Sequence, residues 1–503
     1  MSALRRIMLS GIDINAIPDS NKIYYTATEK VIPAEDVLGS RIIFNNFSPS
    51  TGSGVIITQE PISAIASSAF ENNTLITHIK LPNTLKLVGE RAFANTTNLV
   101  GLTLTTGDIE FKKNAFLNTG IKTVDVPWFT GYNGPDDLIA SNTCANENAS
   151  PFYSQGAKLT TELGEVTGGT IIRNIGNYAF AGIGNSLNVG VYDSDMDQFT
   201  VGKGAFYKAK NIRYINIPSI PTYIKEYAFA YSGLKYTGSD LSGVVEIGDY
   251  AFIECNLANN KLLRLKATTI EYNAFSRCIL GGVSIEGSVK KVRPASFGNP
   301  SFVQFSPTLI KSLYFAKDCK FEDGEFSNVF DYPTYEDTEG ISRTKIDYCE
   351  IACQFPNSWG VTNNGMARSH IGELHITSDV TKIDKYMFYT CKIDTQFVLP
   401  DTINSIEDNA FYYSDIDSIV MGANVSSIGN SAFEGCKFKY IDFSSHTFVP
   451  TLPSTNVFKN VLSDCKIIVP DNLYEEWVAA TYWKAFAAYI IKKSDWDTQQ
   501  VTE

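Results

Sequence analysis

Positive charge is in deficit along this chain: 42 Lys and Arg stand against 54 Asp and Glu, for a formal net charge of -12 and an isoelectric point near 5.0. No global field is left to hold phosphates, so nucleic acid is excluded as an expected partner. Long hydrophobic runs are missing too. No window approaches the roughly 18 unbroken apolar residues of a membrane helix, and no transmembrane segment is expected. Cysteine is sparse and odd in number, nine in 503 residues, which leaves at least one thiol unpaired and does not resemble a disulfide framework. At the amino terminus Arg5 and Arg6 precede only Ile7, Met8 and Leu9 before Ser10 and Gly11 intervene. That is short of the roughly 7 to 15 apolar residues of a secretory core. With 44% hydrophobic and 19% charged residues, however, the chain has material for a packed core and too little charge for disorder.

Histidine is scarcer still, with four in the chain. His370 and His375 form the one close pair, in His-Ile-Gly-Glu-Leu-His, and on a regular strand a spacing of five puts the rings on opposite faces. Two solvent-exposed histidines are therefore expected rather than a shared metal. Cys349 and Cys353 lack a second Cys/His pair nearby, so zinc is not expected. Asp193-Ser-Asp195-Met-Asp197 opens like a calcium loop, but its sixth position is Gln198 and its twelfth Gly204, which breaks the EF-hand requirement and leaves a solvated turn. No nucleophile elbow, phosphate loop or dinucleotide fingerprint is present in strand-to-helix context. The expectation is no enzyme, no catalytic residue, no cofactor and no metal.

What the chain does have is a period. Ala-Phe recurs at Phe70, Phe93, Phe116, Phe180, Phe206, Phe229, Phe252, Phe275, Phe411 and Phe433, and Phe297, Phe326, Phe388 and Phe458 continue the series with other residues before the ring. The recurrent spacing is 22 to 23 residues. An Ile-Gly approach precedes the ring, as in Ile247-Gly-Asp-Tyr-Ala-Phe252 and Ile428-Gly-Asn-Ser-Ala-Phe433, and a short alternating strand follows, as in Ile215-Asn-Ile217-Pro218. Alternation turns Ile215 and Ile217 inward and Asn216 outward, and the proline ends the strand. A unit of about 23 residues cannot bury its own apolar face, so the units must stack on a shared core. Cys255, Cys278, Cys391 and Cys436 fall three residues after a repeat Phe, where other repeats place Asn73, Thr96, Thr119, Ser232 and Ser414. A small hydrogen-bonding side chain turned inward at a tight bend explains them all, and these thiols are expected to be unpaired.

The repeats resemble the BspA-type leucine-rich repeats of surface proteins from Bacteroides and related bacteria. The resemblance implies an α/β repeat solenoid of units of about 23 residues, with short strands and short helical or turn segments. It covers roughly residues 55–470, between a leader with short strands at 1–54 and a helical cap at 471–503. The cap is read from Leu473, Trp477, Ala480, Trp483, Ala487 and Ile490 at helical spacing, with Asp471 placed to cap its start. Within the leader, Asn21 to Pro33 reads as a hairpin or paired strand.

The period breaks twice. Phe116 to Phe180 is 64 residues and Phe326 to Phe388 is 62, so insertions or degenerate repeats occupy about 128–170 and 331–370. All five tryptophans lie outside the regular repeats. Trp128, Phe129, Tyr132 and Tyr153 in the first interval, and Tyr332, Tyr335 and Trp359 in the second, are the candidate binding residues, since aromatics on loops of a rigid scaffold are common anchors. Packing of those loops onto the solenoid is the competing explanation. The resemblance implies a non-enzymatic adhesion protein that presents its repeats to a protein or glycan partner at a bacterial cell surface. The alternative is a receptor-binding component of a phage tail, since particles released by lysis need no export signal.

Overall fold

The computed structural model describes residues 14–34, 36–104, 109–112, 114–121, 123–125, 164–166, 174–175, 177–178, 180–181, 187–189, 197–210, 212–235, 237, 240–260, 262–298, 307–321, 329–330, 343–355, 365–461 and 464–502. The chain is a β-solenoid of about 13 turns of about 23 residues, with little helix. It divides into two compact units, residues 1–256 and 257–503.

Among the described residues a coil passes through a strand of two to four residues, a run of tight turns around the repeat Phe, and a further strand. Leu87–Val88, Phe93 and Gly101–Leu104 form one such coil. The turn run is where helix was allowed for and is not found. Residues two before and two after the Phe are left-handed: Arg91 and Asn95 flank Phe93 with φ of 56° and 59°, and Asn409 and Tyr413 flank Phe411 with φ of 56° and 53°. Two left-handed residues four apart cannot belong to a right-handed helix. The turns instead bond to the neighbouring coil: Phe93 N donates to Ala115 O and Asn95 N to Leu117 O, both at 2.7 Å. Glycine after the short strand permits this closeness. A Cβ on Gly248 would lie 2.6 Å from Glu226 N of the preceding coil, so glycine lets the backbones come closest here, while Lys225 and Glu407 hold the same place in other coils with the same bond to the coil before.

The Phe rings stack into a spine. In the first unit centroids lie 5.0 and 5.1 Å apart along Phe70, Phe93 and Phe116, and 5.1 Å apart along Phe206, Phe229 and Phe252. Beside them runs a buried column of small donors, as the repeat position of the cysteines predicts. Four of them donate to a carbonyl at the Phe position one coil earlier: Cys255 to Phe229 O at 3.1 Å, Cys391 to Met366 O and Cys436 to Phe411 O at 2.8 Å, and Ser414 to Phe388 O at 2.5 Å, while Thr96 donates to Phe93 O of its own coil. None of the described cysteines is in a disulfide.

The first unit begins with antiparallel strands. Lys22–Ala27 lies between Ser53–Thr58 and Ile76–Leu81 and is antiparallel to both, while Ile42–Ser48 pairs with Ser53–Thr58. The strand read within Asn21 to Pro33 is therefore there, but its partners come from farther along the chain. From Ile76–Leu81 onward, through Gly101–Leu104 and Thr123–Asp125, pairing is parallel.

The second unit corrects the register across the second break. Phe326 lies outside the described residues, and the ring stacked on Phe297, at 5.9 Å, is Phe330. Phe297 N donates to Val329 O, the bond that Phe388 N makes to Ala410 O, so Val329-Phe330 fills the Ala-Phe place. Met366 takes the Phe place of the next coil, its carbonyl accepting from Cys391. The interval 331–370 thus contains degenerate repeat, with Lys345–Ile351 as its strand.

The carboxyl end is not one continuous helix. A six-residue helix Tyr474–Ala479, a 3-10 segment Trp483–Tyr489, a strand Ile490–Lys492 and a helix Lys493–Thr502 follow one another. Trp477 and Trp483, both buried, pack on Phe443 with centroids 5.4 and 5.6 Å away, and Trp483 Nε1 donates to Pro450 O at 2.7 Å. The strand Ile490–Lys492 pairs with Lys466–Val469 and extends the sheet. Asp471 does not cap the helix it precedes. Its carboxylate accepts from Ser494 N at 3.0 Å, at the start of the last helix, and the Ser494 side chain together with that backbone bond holds its pKa below the usual carboxylate value.

Candidate functional site

The seven aromatics singled out from the sequence, Trp128, Phe129, Tyr132, Tyr153, Tyr332, Tyr335 and Trp359, lie outside the described residues. So does most of the acidic run from Asp193. A different surface stands out among the described residues: the outward face of four seven-residue parallel strands in the second unit, Ile279–Ile285, Leu309–Phe315, Lys345–Ile351 and His370–Ile376.

These strands break the alternation of two. Inward positions are Ile310, Leu313 and Phe315; Ile346, Cys349 and Ile351; and Ile371, Leu374 and Ile376, a spacing of three and then two. One extra residue therefore stands outward in each of the last three strands, in the manner of a β-bulge shared in register. The expected placement of the two histidines fails for this reason: His370 and His375 both lie outside the buried set of one strand. They do not converge. His370 Nε2 pairs with Asp394 Oδ2 at 2.7 Å, while His375 is exposed. Among the described residues no group of three or more His, Cys, Asp or Glu is placed to hold a metal.

The fourth and sixth positions, which alternate with the inward fifth and seventh, form two outward columns. Ser312, Tyr348 and Glu373 are mutual register partners, as are Ser284, Tyr314, Glu350 and His375. The Tyr314 and Tyr348 rings lie 5.8 Å apart, tilted by 49°. Tyr348 OH donates to Glu350 Oε2 at 3.1 Å. Partial burial, that hydrogen bond and the charges of Glu350 and Glu373 push the Tyr348 phenol up to about 12, so it remains a neutral donor across the physiological range.

Charge balance separates this patch from its surroundings. Glu286, farther along the face, accepts from Ser284 at 2.8 Å and has Arg264 at 3.6 Å and Lys266 at 4.0 Å. Asp347 has Lys345 at 3.8 Å. Glu350 and Glu373 have no lysine or arginine partner among the described residues. Two carboxylates and two half-buried tyrosine rings thus sit on one sheet face with no lysine or arginine within 4 Å of either carboxylate among the described residues. The side chains are held by strand pairing rather than by loops, which limits the entropy a ligand must remove.

Other tyrosines cluster in the turn runs. In the first unit Tyr178 and Tyr207 are buried against Ala181, Ala230 and Ile253, with Tyr227 and Tyr250 stacked at 4.9 Å beside them. In the second unit Tyr389 and Tyr412 stack at 5.3 Å. These rings continue the packing of the turns from coil to coil.

Sequence reasoning missed Tyr314, Tyr348, Glu350 and Glu373 as a group. The signal was present in three segments, Leu309-Ile-Lys-Ser-Leu-Tyr-Phe315, Lys345-Ile-Asp-Tyr-Cys-Glu-Ile351 and His370-Ile-Gly-Glu-Leu-His-Ile376, which share apolar second, fifth and seventh positions. Overlaying them places the outward residues side by side.

Among known proteins, the family model described as BspA type leucine rich repeat region matches in six copies, over residues 37–131, 173–304 and 361–475. No curated protein matches this chain. Similar solved structures include a leucine-rich repeat protein from Bacteroides ovatus, at 14% identity over 79% of this chain and 88% of that one, with a TM-score of 0.36. A leucine rich cell surface protein from Faecalibacterium prausnitzii shares 14% identity over 75% of this chain and 83% of that one, with a TM-score of 0.22. The pneumococcal vaccine antigen PcpA shares 13% identity over 64% of this chain and 83% of that one, with a TM-score of 0.24.

Proposed function

We propose that this chain, which belongs to the BspA-type leucine-rich repeat family, is an adhesion protein of a bacterial cell surface that grips a protein partner through the partner's basic side chains. The family is one of generally non-enzymatic binding proteins. No helix among the described residues is long and apolar enough to cross a membrane. The observation that carries the reading is the pair of uncompensated carboxylates, Glu350 and Glu373, beside the Tyr314 and Tyr348 rings.

A lysine or arginine fits that arrangement twice over. Its charge sits over a tyrosine face, a contact worth about 0.5 to 2 kcal/mol, and its N–H groups donate to carboxylates in hydrogen bonds worth about 1.5 to 3 kcal/mol each. Tyrosine adds contact area at low entropic cost, as at many binding hot spots. A partner that presents several such side chains at strand spacing would engage the columns one after another.

The test uses immobilised oligoarginine, oligoglutamate and glycine-serine peptides in a biosensor. The intact chain should bind oligoarginine above the other two, and Tyr348→Ala combined with Glu373→Gln should weaken that binding about tenfold, the equivalent of about 1.4 kcal/mol. Glu475→Gln, which removes the same charge from an exposed helix position, should leave it unchanged. Equal loss in both variants would reduce the effect to net charge and refute the site.

A further inference from the structure

Cys319 and Cys353 stand outside the donor column that accounts for Cys255, Cys391 and Cys436, so the repeat itself supplies no reason for sulfur at either position. They come from paired strands of neighbouring coils. Leu309–Phe315 and Lys345–Ile351 run parallel with Phe315 opposite Ile351, and Ala352 N donates to Phe315 O at 2.9 Å. Beyond the first strand a turn closes with Cys319 N on Ala316 O at 2.9 Å. The fourth residue after one strand thereby meets the second residue after the other. The paired strands thus carry the two thiols to one cleft. Each residue is 4% exposed, and both line a cleft of about 590 Å3 that also touches Lys317, Lys320, Gln354 and Asp379. A small reagent that enters the cleft comes against both residues.

We propose that Cys319 and Cys353 are a redox pair that closes into a disulfide between neighbouring coils when the protein meets a small-molecule disulfide. One cysteine, as thiolate, attacks a sulfur of the reagent and expels one reagent thiol, leaving a mixed disulfide. The second cysteine, as thiolate, then attacks the protein sulfur of that mixed disulfide and expels the other reagent thiol. Two protein thiols lose two electrons and two protons in all, and the reagent is reduced to two thiols. The neighbouring Cys353 and burial raise the Cys319 thiol above its ordinary value, which keeps that thiol protonated and makes closure faster as pH rises. The bond would tie the end of the strand that carries Tyr314 to the end of the strand that carries Glu350. This inference stands independently of the proposed partner.

The experiment uses the full chain, reduced and then exposed to oxidised glutathione at mildly alkaline pH. The reaction is stopped with acid, the protein denatured and alkylated, and its peptides read by mass spectrometry. The expected product is one linked pair of peptides containing Cys319 and Cys353, two hydrogens lighter than their sum and separated by dithiothreitol, with Cys349, Cys391 and Cys436 alkylated as thiols. Recovery of Cys319 and Cys353 as alkylated thiols would overturn the proposal. So would recovery of both as separate glutathione adducts. The unaltered chain decides the matter, so no variant has to fold.

Discussion

Replacing Phe411 by alanine probes the stacked spine at a fully enclosed point. Phe411 is 0% exposed and lies between Phe388 and Phe433, with centroids at 5.1 and 5.3 Å and planes within 12° of parallel. Phe397 covers its edge at 5.9 Å. Truncation removes roughly 150 Å2 of buried apolar surface, worth about 4 kcal/mol at ~25 cal/mol per Å2. That agrees with the cost of about 3 to 5 kcal/mol typical of a buried Phe changed to Ala. Because each coil contacts its immediate neighbours, the loss should act locally and uncouple the coils beyond Phe411 from those before it. Trp477 and Trp483, packed on Phe443, report on that terminal side. In a urea titration of Phe411→Ala, the tryptophan fluorescence midpoint should fall well below that of the unaltered chain and separate from the circular dichroism midpoint. Val398→Ala, at a side chain 60% exposed, should change stability by less than about 0.5 kcal/mol. A loss below about 1 kcal/mol for Phe411→Ala would refute the stacked core as the element that joins the coils.

Gly429→Ala should cost about 1 to 3 kcal/mol in the same titration, because a Cβ there would meet Asp408 N of the preceding coil at 2.4 Å; an unchanged midpoint would mean the coils can separate freely. Cys436→Ser keeps a donor to Phe411 O and should be tolerated, whereas Cys436→Ala should lose about 1 kcal/mol for the hydrogen bond, with the volume change adding to it. His446 is buried against Phe443 and Trp477, and burial lowers its pKa, so the folded state favours neutral imidazole. The unfolded chain then binds the extra proton: the stability His446 confers is complete above about pH 6.5 and is lost as pH falls toward the folded value. A series of melts between pH 7.5 and 5 should show that slope, and His446→Gln should flatten it.

The period was legible because its chemistry is strict. Phe, the preceding Ala and the Ile-Gly approach each answer a contact that repeats once per coil, and any register error would bury a polar residue. Legibility failed where a different residue fills the same place. Val329-Phe330 took the position that Glu325-Phe326 suggested, and Met366 replaced the ring altogether. The turn runs were ambiguous with short helix because their left-handed positions hold Arg91, Tyr250, Glu254 and Tyr413 rather than glycine. Hydrogen bonds to the adjacent coil, which no local pattern reveals, compensate those strained residues. Helical spacing of Leu473, Trp477, Trp483 and Ile490 suggests one continuous helix because all four face one core, yet Ile490 does so from a strand. The Tyr314, Tyr348, Glu350 and Glu373 patch was hidden for a related reason. It depends on the register between strands that lie 25 to 36 residues apart, which no local pattern reveals, while the extra outward residue in the strand His370–Ile376 puts His370 and His375 on one side where a strict period of two separates them.

The most direct test of the binding account is carboxylate footprinting of the intact chain by carbodiimide labelling and mass spectrometry, with and without saturating oligoarginine. The account predicts that Glu350 and Glu373 lose labelling when the peptide is bound, while Glu475 and Asp401 are labelled as before. Protection spread evenly over the acidic surface, or confined to residues away from the strands Lys345–Ile351 and His370–Ile376, would contradict it.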